Sequence, residues 1–114
     1  MTTLGSTADI AIELLERTVN RAALAGKVLG LVGYGALGRE IARRAVGRGM
    51  EVLYADLEPG AGPHRRVVLS DLLERSDFVM PITDVAAATE LRPRLKPGAC
   101  LIDYWAHVRR LALV

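Results

Sequence analysis

At 114 residues, with 51% hydrophobic and 25% charged residues, the chain has the make-up of one folded domain with a real core. That excludes a disordered segment, and the length is too short for a two-half dinucleotide fold with a substrate domain. The basic residues behind the net charge of +2 are dispersed, aromatic residues make up 4%, and no apolar run approaches the ~18 residues that span a bilayer, so neither nucleic acid nor membrane is an expected partner and the cytoplasm is the default location.

In chain order, Ser6 or Thr7 can cap a helix that runs to about Leu24, with Asp9 in its first turn. Ile10, Ala11, Leu14, Leu15, Val19 and Ala22 give this leading helix an apolar side, which needs cover from the sheet edge, a further domain or a second copy. A homodimer is therefore expected. Gly26 and Lys27 turn the chain into Val28–Val32, an apolar run too short for a buried helix and suited to a parallel strand covered on both faces.

Gly33, Gly35 and Gly38 follow as G-x-G-x-x-G. The first glycine permits a tight turn, the second lets backbone approach a pyrophosphate, and the third allows close helix–strand packing. From Ala36 to Val46 the apolar Leu37, Ile41, Ala42 and Ala45 recur at helical spacing opposite Arg39, Glu40, Arg43 and Arg44. The start of that helix offers N–H groups and partial positive charge to a phosphate at the turn. Gly47 and Gly49 end it, Glu51–Ala55 restores a strand, and Asp56 closes the unit. An acid there can accept hydrogen bonds from an adenosine ribose. Flavoproteins and methyltransferases holding S-adenosylmethionine share this strand–turn–helix logic, so those readings stay open on these residues alone.

The segment EPGAGPHRR has no helical periodicity and reads as a loop carrying Arg65 and Arg66. Val67–Leu69 reads as a short strand, Ser70 as the cap of a helix through Arg75, and Asp77–Met80 as a strand ended by Pro81–Thr83. A helix over Val85–Leu91, a turn at Lys96–Gly98 and a strand over Ala99–Asp103 complete the chain. Alternating strands and helices predict an α/β fold, a Rossmann-like doubly wound parallel sheet in three αβα layers. The organisation is a single domain, with residues 1–25 as the leading helix and 26–114 as the dinucleotide-binding part. Cys100 is the single cysteine, which excludes an internal disulfide and a cysteine zinc site and reads as buried filler. No metal is expected.

With these elements in place, the chain resembles the NAD-binding domain of the D-isomer-specific 2-hydroxyacid dehydrogenases, the group that contains glycerate, lactate, formate and phosphite dehydrogenases. STADIAIELLERTVNRA is similar to the helix that enters that domain, LAGKVLGLVGYGALGREIARRAVGRGMEVLYAD to its core signature, and LSDLLERSDFV and RLKPGACLID to later segments. The resemblance implies NAD as cofactor, with the pyrophosphate on Gly33, Gly35, Gly38 and the N–H groups of Ala36 and Leu37, and the adenosine ribose on Asp56. It implies a 2-hydroxy or 2-keto acid as substrate where a substrate domain is supplied.

The chain departs from the family's pattern in the interval from Pro81 to Lys96, which is a few residues short. It departs again where an arginine would grip the substrate carboxylate: the residues are Asp103, Tyr104, Trp105, Ala106 and His107, with Ala106 at the arginine's place. Arg109 and Arg110, three and four positions on, are expected to turn away from the crevice. The acid–base glutamate and histidine of the family would fall beyond Val114. An apparently truncated domain, binding NAD without a catalytic residue of its own, is therefore expected. A non-catalytic NAD-binding or oligomerisation module is the alternative.

The remaining polar candidates have bland readings beside these. His107 reads as solvated rather than as a base, and Arg65 and Arg66 as solvated rather than as holders of an NADP 2'-phosphate, which Asp56 would repel. Tyr104 and Trp105 end the last strand and read as cover for the sheet end.

Overall fold

The computed structural model of the chain describes residues 3–19, 21–56, 64–83 and 86–112. Its elements are α1 (Thr3–Thr18), β1 (Val28–Val32), α2 (Gly35–Val46), β2 (Glu51–Ala55), β3 (Arg65–Arg66), α3 (Leu69–Arg75), β4 (Phe78–Pro81), α4 (Ala88–Leu91), β5 (Cys100–Leu101) and α5 (Tyr104–Ala112). The strands form one sheet in the order β3-β2-β1-β4-β5, and every pairing is parallel. Val28 pairs with Glu51 and Leu29 with Phe78, which puts β1 at the centre.

The two-residue alternation of β1 divides the core into two layers. Leu29 and Leu31 join Ile12, Leu15, Ile41 and Tyr104 on the face that carries α1, α2 and α5, whereas Val32 joins Leu72, Leu73, Val79 and Leu91 on the face that carries α3 and α4. The fold is thus the expected three-layer, doubly wound α/β arrangement. Gly30 faces α3, and a Cβ on it would lie 2.2 Å from Ser76 Oγ and 2.6 Å from Leu72 Cδ2. The close helix–strand approach assigned to Gly38 is made at Gly30 instead. A Cβ on Gly38 would meet only Tyr34 and the Gly33 carbonyl, at 3.4 Å or more.

Several expected boundaries move. α1 starts at Thr3 and stops at Thr18, before a separate 3-10 turn over Arg21–Leu24, so Ser6 and Thr7 lie inside the helix and its first turn holds no acid. Asp9 instead pairs with Arg44 of α2, and Glu16 pairs with Arg48 at 3.2 Å. The apolar side of α1 is spent within the chain: Ala8, Ala11, Ile12 and Leu15 are buried in the first core layer, with Ile10, Leu14 and Val19 packed on it. It is therefore not the free face from which a homodimer was expected.

The strand expected at Val67–Leu69 lies earlier, at Arg65–Arg66, and Val67 extends its pairing only through an N–H donated to Tyr54 O at 2.8 Å. Leu69 already belongs to α3, whose N-cap is Val68 rather than Ser70. Phe78–Pro81 replaces Asp77–Met80 because Pro81, which has no N–H to give, still fits as the last residue of β4. α4 covers only Ala88–Leu91 before a 3-10 turn, and β5 only Cys100–Leu101. Cys100 is half-buried rather than buried. The loop read at EPGAGPHRR falls mostly on residues 58–63, outside the described residues, as does Val85 of the expected helix.

The tail holds the largest departure. Tyr104 and Trp105 do not end a strand; they open α5. Asp103 Oδ1 accepts the Ala106 N–H at 3.0 Å, the side-chain cap that starts a helix, and the chain leaves the sheet two residues earlier than its apolar pattern suggests.

Candidate functional site

The site grows from the carboxyl ends of three adjacent strands. Gly33, at the end of β1, donates its N–H to Ala55 O of β2 at 2.7 Å, while Ile82 and Thr83, past β4, donate theirs to Val32 O at 2.8 and 3.3 Å. Gly33 has φ +92, and a Cβ there would fall 2.1 Å from Thr83 Oγ1. Only glycine serves at that position, both for its backbone and for the space that Thr83 fills. Gly35 has φ +59, with nothing within 4 Å of where its Cβ would be. That open space is what a pyrophosphate approaching the backbone requires.

Between these glycines, Tyr34 turns inward. Its ring is 2% exposed and stacks on Tyr54 of β2 with centroids 4.0 Å apart and planes at 21°. His64 meets it edge-on at 6.3 Å. Burial raises the Tyr34 hydroxyl above its ordinary pKa of 10.0, with Tyr54 adding to the rise and Arg39 opposing it. Burial holds the His64 imidazole below its ordinary value. With the ring anchored, the backbone rolls directly into α2, whose first intrahelical bond runs from the Gly38 N–H to Tyr34 O at 2.8 Å. The N–H groups of Gly35, Ala36 and Leu37 precede any intrahelical acceptor, and together with the helix dipole they form an anion cradle.

Asp56 sits half-buried at the end of β2, where its Oδ2 accepts the Tyr34 N–H at 2.8 Å. All six residues expected to hold the cofactor, Gly33, Gly35, Ala36, Leu37, Gly38 and Asp56, therefore gather at one end of the sheet. Arg66, expected to be solvated on a loop, lies on β3 and forks onto the Asp56 carbonyl through Nη2 at 2.9 Å and Nε at 3.3 Å. Arg65 is exposed, as expected. Tyr34, Tyr54 and Thr83 carry no motif signature; the one hint is an aromatic residue inside the glycine turn.

Beyond β4 and β5 lies a cavity of about 440 Å³ whose walls include Pro81, Thr83, Glu90, Asp103, Trp105 and Arg109. Trp105 donates its indole N–H to Ile82 O at 2.7 Å, which ties α5 to the end of β4. Tyr104 packs edge-to-face on Trp105 at 4.9 Å but is itself buried in the first core layer rather than covering the sheet end. Because α5 is helical, Arg109 follows Trp105 by one turn and lines this cavity, instead of turning away. His107 and Arg110 line a different cleft, against α1. Among the described residues, no cluster of three His, Cys, Asp or Glu could hold a metal, and no helix is long and apolar enough to cross a membrane.

The geometry has parallels in known proteins. Residues 12–92 match the family described as D-isomer specific 2-hydroxyacid dehydrogenase, NAD binding domain. A glycerate dehydrogenase of Methylorubrum extorquens is 39% identical over 87 residues, covering 70% of this chain and 26% of that protein. A glyoxylate reductase of Korarchaeum cryptofilum is 40% identical over 91 residues, covering 68% of this chain and 27% of that protein. Among solved structures, the TT0316 protein from Thermus thermophilus superposes with a TM-score of 0.71 at 30% identity, over 95% of this chain and 47% of that one. The chain thus spans about a quarter of the length of the curated relatives it matches. These matches favour the dinucleotide reading over the S-adenosylmethionine one. The chain belongs to the D-isomer-specific 2-hydroxyacid dehydrogenase family, as an NAD-binding domain.

Proposed function

We propose that this NAD-binding domain holds the pyrophosphate of its cofactor on the N–H groups of Gly35, Ala36 and Leu37, with Gly33 and Gly38 shaping the turn, and the adenosine ribose hydroxyls on Asp56. The observation that carries the reading is the pairing of an open Gly35 with an acid tied 2.8 Å from the same turn. In such sites the pyrophosphate lies at the helix N-terminus and the ribose on the acid after the second strand, so a single rigid unit can read both. When bound, NAD supplies hydride chemistry, and the substrate class we propose is a 2-hydroxy or 2-keto acid. The cavity beside Thr83 supports that placement, since ligands of doubly wound sheets bind outside the carboxyl ends of the strands.

A second reading, an NAD-binding module without turnover of its own, has specific support. Ala106 stands where the family resemblance places an arginine, and of the two histidines, His64 packs on Tyr34 while His107 lines the α1 cleft. Neither borders the cavity next to Thr83. A cytoplasmic location is supported by the intracellular supply of the dinucleotide. Pairing of two copies is proposed on the family resemblance alone, because α1 spends its apolar side within the chain. Calorimetric titration with NADH and with S-adenosylmethionine tests the cofactor reading: NADH binds and S-adenosylmethionine does not, and the reverse order overturns it.

A further inference from the structure

The cleft between α1 and α5 has a chemistry of its own. It encloses about 340 Å³ and brings together Arg92 from the turn after α4, His107 and Arg110 from α5, and an apolar floor that includes Leu14, Leu101 and Ile102. His107 and Arg110 are three positions apart and share one face of α5, roughly opposite the Trp105 and Arg109 face. The cleft and the cavity at the end of β4 thus share Asp103 at the start of α5 and diverge onto opposite sides of that helix.

Its charge is unbalanced. Asp103 is the one carboxylate among its lining residues, and its Oδ1 is engaged by the Ala106 N–H. Arg92 and Arg110 have no carboxylate partner among the described residues, in contrast to Arg43, Arg44, Arg48 and Arg75, each of which is paired with an acid. Thr18 also borders the cleft, but its hydroxyl proton goes to Leu14 O at 2.9 Å. The donors that face the opening are thus guanidinium and imidazole groups, set above leucine and isoleucine side chains. Planar guanidinium forks match carboxylate and phosphate oxygens, and an apolar floor favours a ligand whose charge is carried on a hydrocarbon body.

We propose that the α1–α5 cleft is a second binding site, distinct from the nucleotide turn, for a small organic oxyanion with an apolar body, gripped by Arg92, His107 and Arg110. The proposal does not depend on where NAD binds.

Proton NMR of the intact chain tests it directly, because only two histidines contribute imidazole signals. His64, packed against Tyr34 on the nucleotide side, is the internal control. At fixed pH, phenyl phosphate or benzoate shifts the His107 signals along a saturable curve and leaves those of His64 in place, whereas sodium chloride at equal ionic strength shifts neither. Whichever compound binds tighter names the oxyanion. Arg92→Gln and Arg110→Gln each weaken binding about tenfold, the loss of roughly one charge-assisted hydrogen bond, and NADH affinity is unchanged. Both arginines are exposed, so the substitutions leave the fold intact, and Arg110→Lys gives an intermediate affinity. A linear response, an equal response to sodium chloride, or a saturable shift that survives in the Arg92→Gln/Arg110→Gln double variant overturns the proposal.

Discussion

Tyr34 donates its backbone N–H to Asp56 Oδ2 at 2.8 Å, which makes the acid at the end of β2 a structural support of the glycine turn as well as a candidate ribose acceptor. The two roles separate by substitution. Asp56→Asn keeps an acceptor oxygen for Tyr34 but removes the charge, whereas Asp56→Ala leaves a half-buried N–H without its partner. We expect Asp56→Ala to lose about 1–2 kcal/mol of stability and Asp56→Asn much less. We expect the wild type to bind NADH more tightly than NADPH, because the carboxylate would repel a 2'-phosphate, and Asp56→Asn to narrow that preference about tenfold. Denaturant melts and calorimetric Kd values for both cofactors check this; an unchanged preference in Asp56→Asn contradicts the ribose assignment.

Gly30 and Gly38 give opposite expectations for the same substitution. Gly30→Ala drives a methyl group into Ser76 and Leu72 on the facing helix and costs about 1–3 kcal/mol, as overpacking of a tight core does. Gly38→Ala finds ordinary contacts inside α2 and is neutral or gains up to about 1 kcal/mol from helix propensity. Urea midpoints of the two variants, measured side by side, decide whether the motif's third glycine or the strand's glycine sets the helix–sheet distance.

Asp77 makes stability depend on pH. Its Oδ2 accepts the Val28 N–H at 2.9 Å and its Oδ1 lies 3.0 Å from Lys96 Nζ, joining the start of β1 to the segment before β5. The Val28 bond holds the carboxyl below its ordinary value of 3.8, against the opposing effect of burial and with help from Lys96. A depressed pKa in the folded state means that the contribution is complete above about pH 5 and is lost as pH falls through 3.8 and below. Asp77→Asn, which mimics the protonated form, is expected to cost about 1–2 kcal/mol at pH 7 and to close on the wild type as pH falls below 3.8. Melts across that range that stay parallel would contradict the assignment.

As this chain alone, the protein is expected to bind nucleotide without dehydrogenase-rate turnover. Fixing a keto acid needs a cation for its carboxylate, an acid for the developing alkoxide and a closed cleft. Arg109 borders the cavity next to Thr83, but neither histidine does. General acid catalysis by itself is worth about 10²- to 10⁴-fold. NADH oxidation with glyoxylate, pyruvate and hydroxypyruvate measures it; turnover near ~1 s⁻¹, within the ordinary enzyme range, sinks the expectation.

How much of this was readable from the residues follows from where the information lies. β1 and β2 have the bounds that their apolar runs and flanking glycines imply, because central parallel strands are fixed by local pattern. The glycine turn proposed to hold the cofactor was legible because backbone chemistry, not side-chain packing, selects glycine there. The apolar stripe of α1 was equally plain, but a stripe does not name what covers it, and the partner proved to be the neighbouring helix and sheet. α5 was hidden because Asp103, a helix cap, follows a continuous apolar run and so extends the strand pattern by two residues. Tyr34 stacking on Tyr54 and Arg66 reaching the Asp56 carbonyl are tertiary contacts with no periodic trace.

The claim on which the rest depends is that the cofactor's pyrophosphate lies on the backbone at the start of α2. Amide proton–nitrogen correlation spectra of the uniformly labelled chain, recorded during an NADH titration, test it most directly. The Gly35, Ala36 and Leu37 amides are expected to shift most, with Tyr34 following as Asp56 engages the ribose, while Arg92 and His107 stay unmoved. Saturable shifts centred on α5 or on the α1 cleft, with the amides of Gly35–Leu37 unchanged, would contradict it.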